Sequence, residues 1–113
     1  MSVNAAFTPT GNTFVLTAAT SAPTPVQVVT NGAASNQYRI INSSTTQGCF
    51  LSYSQTSAAA TSNCVIPTGV ASSTTIYILP NTDEIITFVP AAYFTAITSS
   101  SSAVLYITAG DGM

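Results

Sequence analysis

Apolar and polar residues alternate with a period of two along much of this chain, in short segments separated by turn-forming residues. Such alternation is typical of strands with one buried face. A strand and its turn recur about every ten residues, which is typical of sandwiches, jelly rolls and small barrels. Strands are predicted at Val3–Thr8, Thr13–Ala18, Val26–Thr30, Gln37–Asn42, Cys49–Ser54, Cys64–Ile66, Thr75–Leu79, Glu84–Val89, Tyr93–Thr98 and Ala103–Thr108.

The aliphatic side chains favour the same fold class. Val and Ile together number 18 against 4 Leu, and β-branched residues fit a pleated, half-buried surface. A chain of 113 residues is the size of one domain. We therefore predict one all-β domain over residues 1–113, a jelly-roll-like β-sandwich of eight to ten short strands. The segment Gln55–Asn63 is predicted to be a loop or a single helical turn.

Two predicted strands are apolar on both faces, Ile76–Leu79 and Val104–Ile107. A sandwich of this size has only two inner sheet faces to fill, so some of these side chains should face outward. We predict that this outward apolar surface packs against a sister subunit or a larger particle. The predicted interface residues from these strands are Tyr77, Leu79, Leu105 and Ile107.

Only 4% of the residues are charged, namely Arg39, Asp83, Glu84 and Asp111. The lone Arg39 is expected to pair with a carboxylate, either in its own chain or on a neighbouring subunit, and it joins the candidate interface. Asp83 and Glu84 are interpreted as a solvated turn that protects the following apolar strand from aggregation. A calcium site at these two acids is the alternative.

The residues needed for most catalytic and binding chemistry are missing. The chain contains no His and no Lys, which excludes imidazole bases, Schiff bases and P-loops. One Arg cannot form a phosphate-binding patch, so no nucleic acid is expected. No apolar run approaches the length of a membrane span, and the residues from Met1 to Phe7 do not form a signal peptide. We expect a non-enzymatic protein without cofactor or metal, made in the cytoplasm.

Cys49 and Cys64 are 15 positions apart. A disulfide closing that loop would contribute about 3 kcal/mol. Without an export signal we favour two free, buried thiols. The ten aromatic residues, five Phe and five Tyr, are expected in the core, and a sugar-stacking platform is the alternative.

The polar residues of the chain are mostly uncharged. Ser, Thr, Asn and Gln dominate, with 15 Ser and 19 Thr. With this composition, four stretches carry a resemblance to a known class of protein: Met1–Thr17, Tyr38–Ser43, Pro80–Phe88 and Val104–Met113. In them the chain resembles small β-rich virion proteins of tailed bacteriophages, in particular capsid decoration (cement) proteins. The likeness is one of pattern and carries no site residues over.

This resemblance implies a structural protein located in the virion that binds the outside of an assembled shell. There it would bridge neighbouring major capsid proteins and stiffen the particle, as a homo-oligomer or as part of a larger assembly. Two other hypotheses stay open. One is a head fibre, tail or baseplate component, and the other is a carbohydrate-binding module that attaches particles to glycans.

Overall fold

The structure is a computed structural model that describes residues 8–28, 36–68 and 74–111. Two four-stranded antiparallel sheets lie face to face, and one short helix lies outside them. The prediction of an all-β sandwich is therefore confirmed. The elements are β1 (Thr8–Ala18), β2 (Val26–Gln27), β3 (Gln37–Asn42), β4 (Cys49–Ser54), α1 (Ser57–Asn63), β5 (Ile76–Ile78), β6 (Thr82–Thr87), β7 (Tyr93–Ile97) and β8 (Ala103–Asp111).

The strand order describes one long hairpin wound into two layers. The first sheet has the order β1-β8-β3-β6 and the second has the order β2-β7-β4-β5. Thus β1 pairs with β8, β2 with β7, β3 with β6 and β4 with β5, all antiparallel. Winding this hairpin also brings β3 beside β8 and β4 beside β7. All pairings between the described strands follow from this one folding pattern.

Alternating residues of the central strands fill the space between the sheets. In β3, Tyr38, Ile40 and Asn42 are buried, whereas Arg39 between them is exposed. The Tyr38 ring meets Phe94 of the opposite sheet edge to face, with ring centres 4.9 Å apart. Burial of such side chains is the main favourable term in folding.

One end of the core is closed by a buried amide. The side-chain Nδ2 of Asn42 donates to the carbonyls of Gln47 and Ile78, at 3.0 and 3.3 Å. Its Oδ1 accepts from the backbone N–H of Ser44 at 3.0 Å. Since Ile78 belongs to the second sheet, this buried side chain ties the two sheets together. Because the donor and the acceptor of this amide are both hydrogen-bonded, burying them does not carry the free-energy penalty of an unpaired polar group.

Helix α1 covers the part of the second sheet's outer face that β4 and β7 form. The Thr56 hydroxyl caps its first turn by accepting from the Ala59 N–H at 3.2 Å. The buried Ser52 hydroxyl of β4 donates to the Ala60 carbonyl at 2.7 Å, which holds the helix against the sheet. With seven residues the helix is longer than the single turn predicted. The predicted strand Cys64–Ile66 is wrong, because Cys64 is the C-cap of α1 and no described strand contains these residues.

Strand β1 runs through Pro9–Asn12, where the Pro, Gly and Asn residues predict a turn between the strands Val3–Thr8 and Thr13–Ala18. Pro9 lies opposite Gly110 and Thr13 opposite Thr108, so four positions along β1 match two along β8. The Gly11-Asn12 pair therefore belongs to a β-bulge inside one strand and does not end it. From Thr13 to Ala18 the pairing with β8 is regular.

Three predictions lie wholly or partly outside the described residues. They are the strand Val3–Thr8 before Thr8, the end of the strand Val26–Thr30, and the hairpin turn or start of a longer loop that the Asn31-Gly32 pair indicates. In the part of the chain that the structure describes, no helix is long and apolar enough to cross a membrane.

Candidate functional site

In β8, the residues that were predicted to form an outward interface face the core instead. Leu105 and Ile107 are fully buried between the sheets. They lie opposite Leu16 and Phe14 of β1, on the core side. The expectation that they face outward is wrong, because strand residues alternate and Tyr106 between them takes the outer side, 38% exposed.

The outer face of the first sheet is an exposed surface with an apolar centre. One row of cross-strand neighbours runs from Val15 through Tyr106 to Ile41. Val15 is 55% exposed and Ile41 is half-buried. Helix α1 packs against β4 and β7 of the other sheet and leaves this side uncovered. We call it the open face; its apolar residues are Val15, Ile41, Ile85, Val104 and Tyr106.

Polar pairs flank the apolar row of the open face. The hydroxyls of Thr13 and Thr108 form a hydrogen bond of 2.7 Å. Arg39 Nε donates to Asp83 Oδ2 at 3.2 Å, between side chains 47% and 36% exposed. The sequence left open whether the carboxylate partner of Arg39 lies in its own chain or on a neighbouring subunit. The structure shows a partner in the same chain. A pair this exposed contributes at most about 1 kcal/mol to stability.

The acidic pair occupies a sheet edge and not a turn. Asp83 and Glu84 lie in β6, the last strand of the first sheet. Asp83 shares the outer side with Ile41, whereas Glu84 lies opposite the buried Ile40 and is exposed. A charge at an inward position of an edge strand discourages pairing with further strands. No group of three metal-ligating side chains occurs among the described residues.

The second exposed apolar surface lies on the opposite side of the sandwich. Tyr77 and Leu79 are 47% and 55% exposed, as predicted. The Tyr77 ring packs at a tilt of 49° against Phe50 of the neighbouring strand, with ring centres 4.7 Å apart. We call Phe50, Tyr77 and Leu79 the Tyr77 patch.

Gly48 makes room for the Tyr77 ring. A Cβ at this position would overlap the Tyr77 hydroxyl and would lie 3.0 Å from the Ile78 carbonyl oxygen. The absence of a side chain thus lets the ring lie over the backbone beside Phe50.

Replacing Gly48 with Ala is expected to push Tyr77 off Phe50. The loss of ring contact should cost about 1 kcal/mol in the free energy of unfolding. Urea titration of Gly48→Ala, Tyr77→Ala and the double variant measures this. In the Tyr77→Ala background, Gly48→Ala should lower the free energy of unfolding by much less. An equal cost in both backgrounds would show that Tyr77 is not what the methyl group displaces.

Both cysteines are buried free thiols in the structure. Burial, together with a smaller contribution from the neighbouring Cys64, raises the pKa of Cys49 to about 12. Burial also raises the pKa of Cys64 to about 11. Thiols that stay protonated at neutral pH are poor nucleophiles.

Comparison of the chain with family models, with curated proteins and with solved structures gives no match. The inference of function therefore rests on the two exposed apolar surfaces and on the chemistry of the side chains.

Proposed function

We propose that this chain is a non-enzymatic structural protein of a tailed-phage virion, which decorates the capsid by bridging neighbouring major capsid proteins. The observation that carries the proposal is the placement of the open face and the Tyr77 patch on opposite sides of one sandwich. A protein with a single partner needs one such surface. Two opposite surfaces suit a protein that lies between two neighbours.

The small size of the two surfaces favours binding to several neighbours at once. The four strands of the first sheet, spaced about 4.8 Å apart and paired over about six residues, give the open face a footprint of roughly 400 Å², and the Tyr77 patch is smaller. Stable complexes bury about 800 Å² per partner. One surface alone should therefore bind weakly, and contacts on both sides of the sandwich would multiply their effects.

The scarcity of charge also supports the proposal. A surface rich in Ser and Thr, with four charged residues in the chain, can pack closely without removing ions from water. The formal net charge of −2 produces little repulsion between copies on a crowded shell.

The fold supports the proposal by analogy. The wound-hairpin order, with β1 beside β8 and β2 beside β7, is the order of strands in an eight-stranded jelly roll. Jelly rolls occur in viral capsid proteins and also in lectins. Because one fold serves many functions, the exposed surfaces carry the inference.

The test is co-sedimentation with virions of the phage that encodes the chain, stripped of this protein. Tyr106→Asp places a charge on the open face and Tyr77→Asp places one on the Tyr77 patch. Each is expected to weaken binding at least tenfold, since a buried unpaired charge is costly. Thr24→Asp, at an exposed loop position just before β2, which lies at the edge of the second sheet opposite β5, is the matched control and should bind like the wild type.

Electron microscopy of the reconstituted particle then locates the chain. Density between neighbouring capsid proteins is the expected result. Density on a fibre, tail or baseplate would overturn the decoration role, as would binding to glycans without binding to shells. Wild-type protein that fails to sediment with the shells would overturn it as well.

A further inference from the structure

We propose that two copies of this chain pair edge to edge through β1, antiparallel and about a two-fold axis at Val15, so that their first sheets join into one eight-stranded sheet. This inference does not depend on the virion proposal, because it concerns contact between copies of the chain alone. It follows from the backbone directions, the free length and the charges of the sheet edges.

In β1, the backbone N–H and C=O groups of every second residue point away from the neighbouring strand β8. The Ser43 N–H donates to the Val104 carbonyl at 3.0 Å, so Val104 and Tyr106 direct their backbone groups toward β3. Because these directions alternate, Leu105 and Ile107 direct theirs toward β1. Their opposite residues in β1 are Leu16 and Phe14, which complete that ladder.

It follows that Thr13, Val15 and Thr17 direct their N–H and C=O groups toward the outer edge. The Ala19 carbonyl, which has the same direction, accepts from the Thr98 N–H at 2.9 Å beyond that edge. The side chains of Thr13, Val15 and Thr17 are all exposed, and no described strand pairs with them on that side. Such a row of backbone groups is a template for another strand.

The other described edges are short or charged. Strands β2 and β5 contain two and three residues. Edge strand β6 carries Asp83 and Glu84. From Thr13 to Ala18, β1 has no charge, no Pro and no Gly. Among the edges that the structure describes, it alone combines length with the absence of a protective residue.

The free length of the edge determines the register of the pair. The bulge before Thr13 ends it on one side, and the Ala19–Thr98 hydrogen bond ends it on the other. An antiparallel pair of the segment Thr13–Thr17 overlaps most fully when Val15 faces Val15 of the second copy. Thr13 then faces Thr17, which is a favourable cross-strand pair.

This arrangement extends the open face. The two-fold axis of an antiparallel strand pair is perpendicular to the sheet, so the outer faces of both copies lie on the same side. The Val15–Tyr106–Ile41 rows of the two copies become continuous. The footprint of the joined face doubles to roughly 800 Å², the size that stable interfaces bury per partner.

Disulfide trapping tests the register, with one Cys introduced at a time into a chain whose native Cys49 and Cys64 are replaced by Ala. Opposed residues of an antiparallel pair lie within the Cα separation that a disulfide spans. Val15→Cys is therefore expected to give a covalent dimer under mild oxidation. Thr17→Cys should give none alone, since its two copies would lie four residues apart, about 13 Å. An equal mixture of Thr13→Cys and Thr17→Cys should cross-link between the two variants.

Sedimentation equilibrium tests whether the outward backbone groups of β1 hold the dimer together. The mass expected for the wild type is twice the 11.5 kDa mass of one chain. Val15→Pro removes the outward N–H, which an edge strand tolerates, and should raise the dimer dissociation constant at least tenfold. Val15→Ala keeps the N–H and is the control, with a smaller effect. A monomeric wild type at millimolar concentration would overturn the pairing, and so would equal cross-linking of Val15→Cys and Thr17→Cys. Neither outcome bears on shell binding, which the co-sedimentation assay measures separately.

Discussion

Replacing Leu105 with Asp should unfold the protein, whereas the same change at its neighbour Tyr106 should leave it folded. Leu105 is fully buried in the central strand β8 of the first sheet. An Asp there loses the burial of an entire Leu side chain and places a carboxylate in the core. The single cation, Arg39, lies on the opposite face of the sheet and cannot pair with it.

The expected cost of Leu105→Asp exceeds about 5 kcal/mol, comparable with the whole stability of a typical domain. Circular dichroism should show loss of the native β spectrum, and no cooperative thermal transition should remain. Tyr106→Asp, one residue away and 38% exposed, should change the free energy of unfolding by about 1 kcal/mol or less. A Leu105→Asp variant with a native spectrum and a normal transition would contradict the assignment of faces in β8.

This pair of substitutions tests which side of β8 faces the core, a property that the sequence left undetermined. The segment Val104–Ile107 is apolar at every position, so its own pattern does not show which side faces the core. The flanking residues carry the missing signal. Ala103 and Ala109 share the side of Leu105, whereas the polar Thr108 shares the side of Tyr106. Extending the alternation across nine residues would have indicated the inner face correctly.

Where one face is polar, the predicted strands match the structure closely. The bounds of β3 and β4 are those predicted, Gln37–Asn42 and Cys49–Ser54. Both alternate strongly because one side packs on the core. Strand β1 differs because a Gly-Asn pair is compatible with a turn and with a bulge. Only the pairing with β8 distinguishes the two, and that pairing is a long-range property.

The second sheet shows a different limit. Ser52 and Thr95 occupy outward positions and are nevertheless buried. Helix α1 covers Ser52, and the segment around Pro23 covers Thr95, whose hydroxyl donates to the Pro23 carbonyl at 2.8 Å. Alternation within a strand cannot reveal an outer layer added by distant segments. The exposed surfaces are therefore harder to predict than the core, and the Tyr77 patch was found only because its exposed residues are large and apolar.

Alkaline pH should destabilise the protein through its two cysteines. The ordinary thiol pKa is 9.0, and burial raises it to about 12 for Cys49 and about 11 for Cys64. Between pH 9 and these values the unfolded chain has released the thiol protons and the folded chain has kept them. Stability is thus fully present below pH 9 and is lost as the pH rises through the folded values.

Each thiol should shift the folding equilibrium about tenfold toward the unfolded state per pH unit above 9. At pH 9 the unfolded thiols are already half ionised, so from pH 9 to 10.5 the two together give a shift of roughly 200-fold. Burial also raises the pKa of Tyr38 above 10.0, so this residue adds to the loss of stability at higher pH. Urea titrations at intervals between pH 7 and pH 10.5 measure the dependence directly.

The control for this prediction is the double variant Cys49→Ala, Cys64→Ala. Two small cavities should lower its stability at every pH, but the loss of stability between pH 9 and 10 should disappear. Alkylation without reductant gives a second readout, since both thiols should react in denaturant and react slowly in the native protein. A double variant with the wild-type pH dependence would show that other groups cause the alkaline loss. Failure of the denatured wild type to react would show a Cys49–Cys64 disulfide in place of the two thiols, and the pH argument would then not apply, because a disulfide has no proton to release.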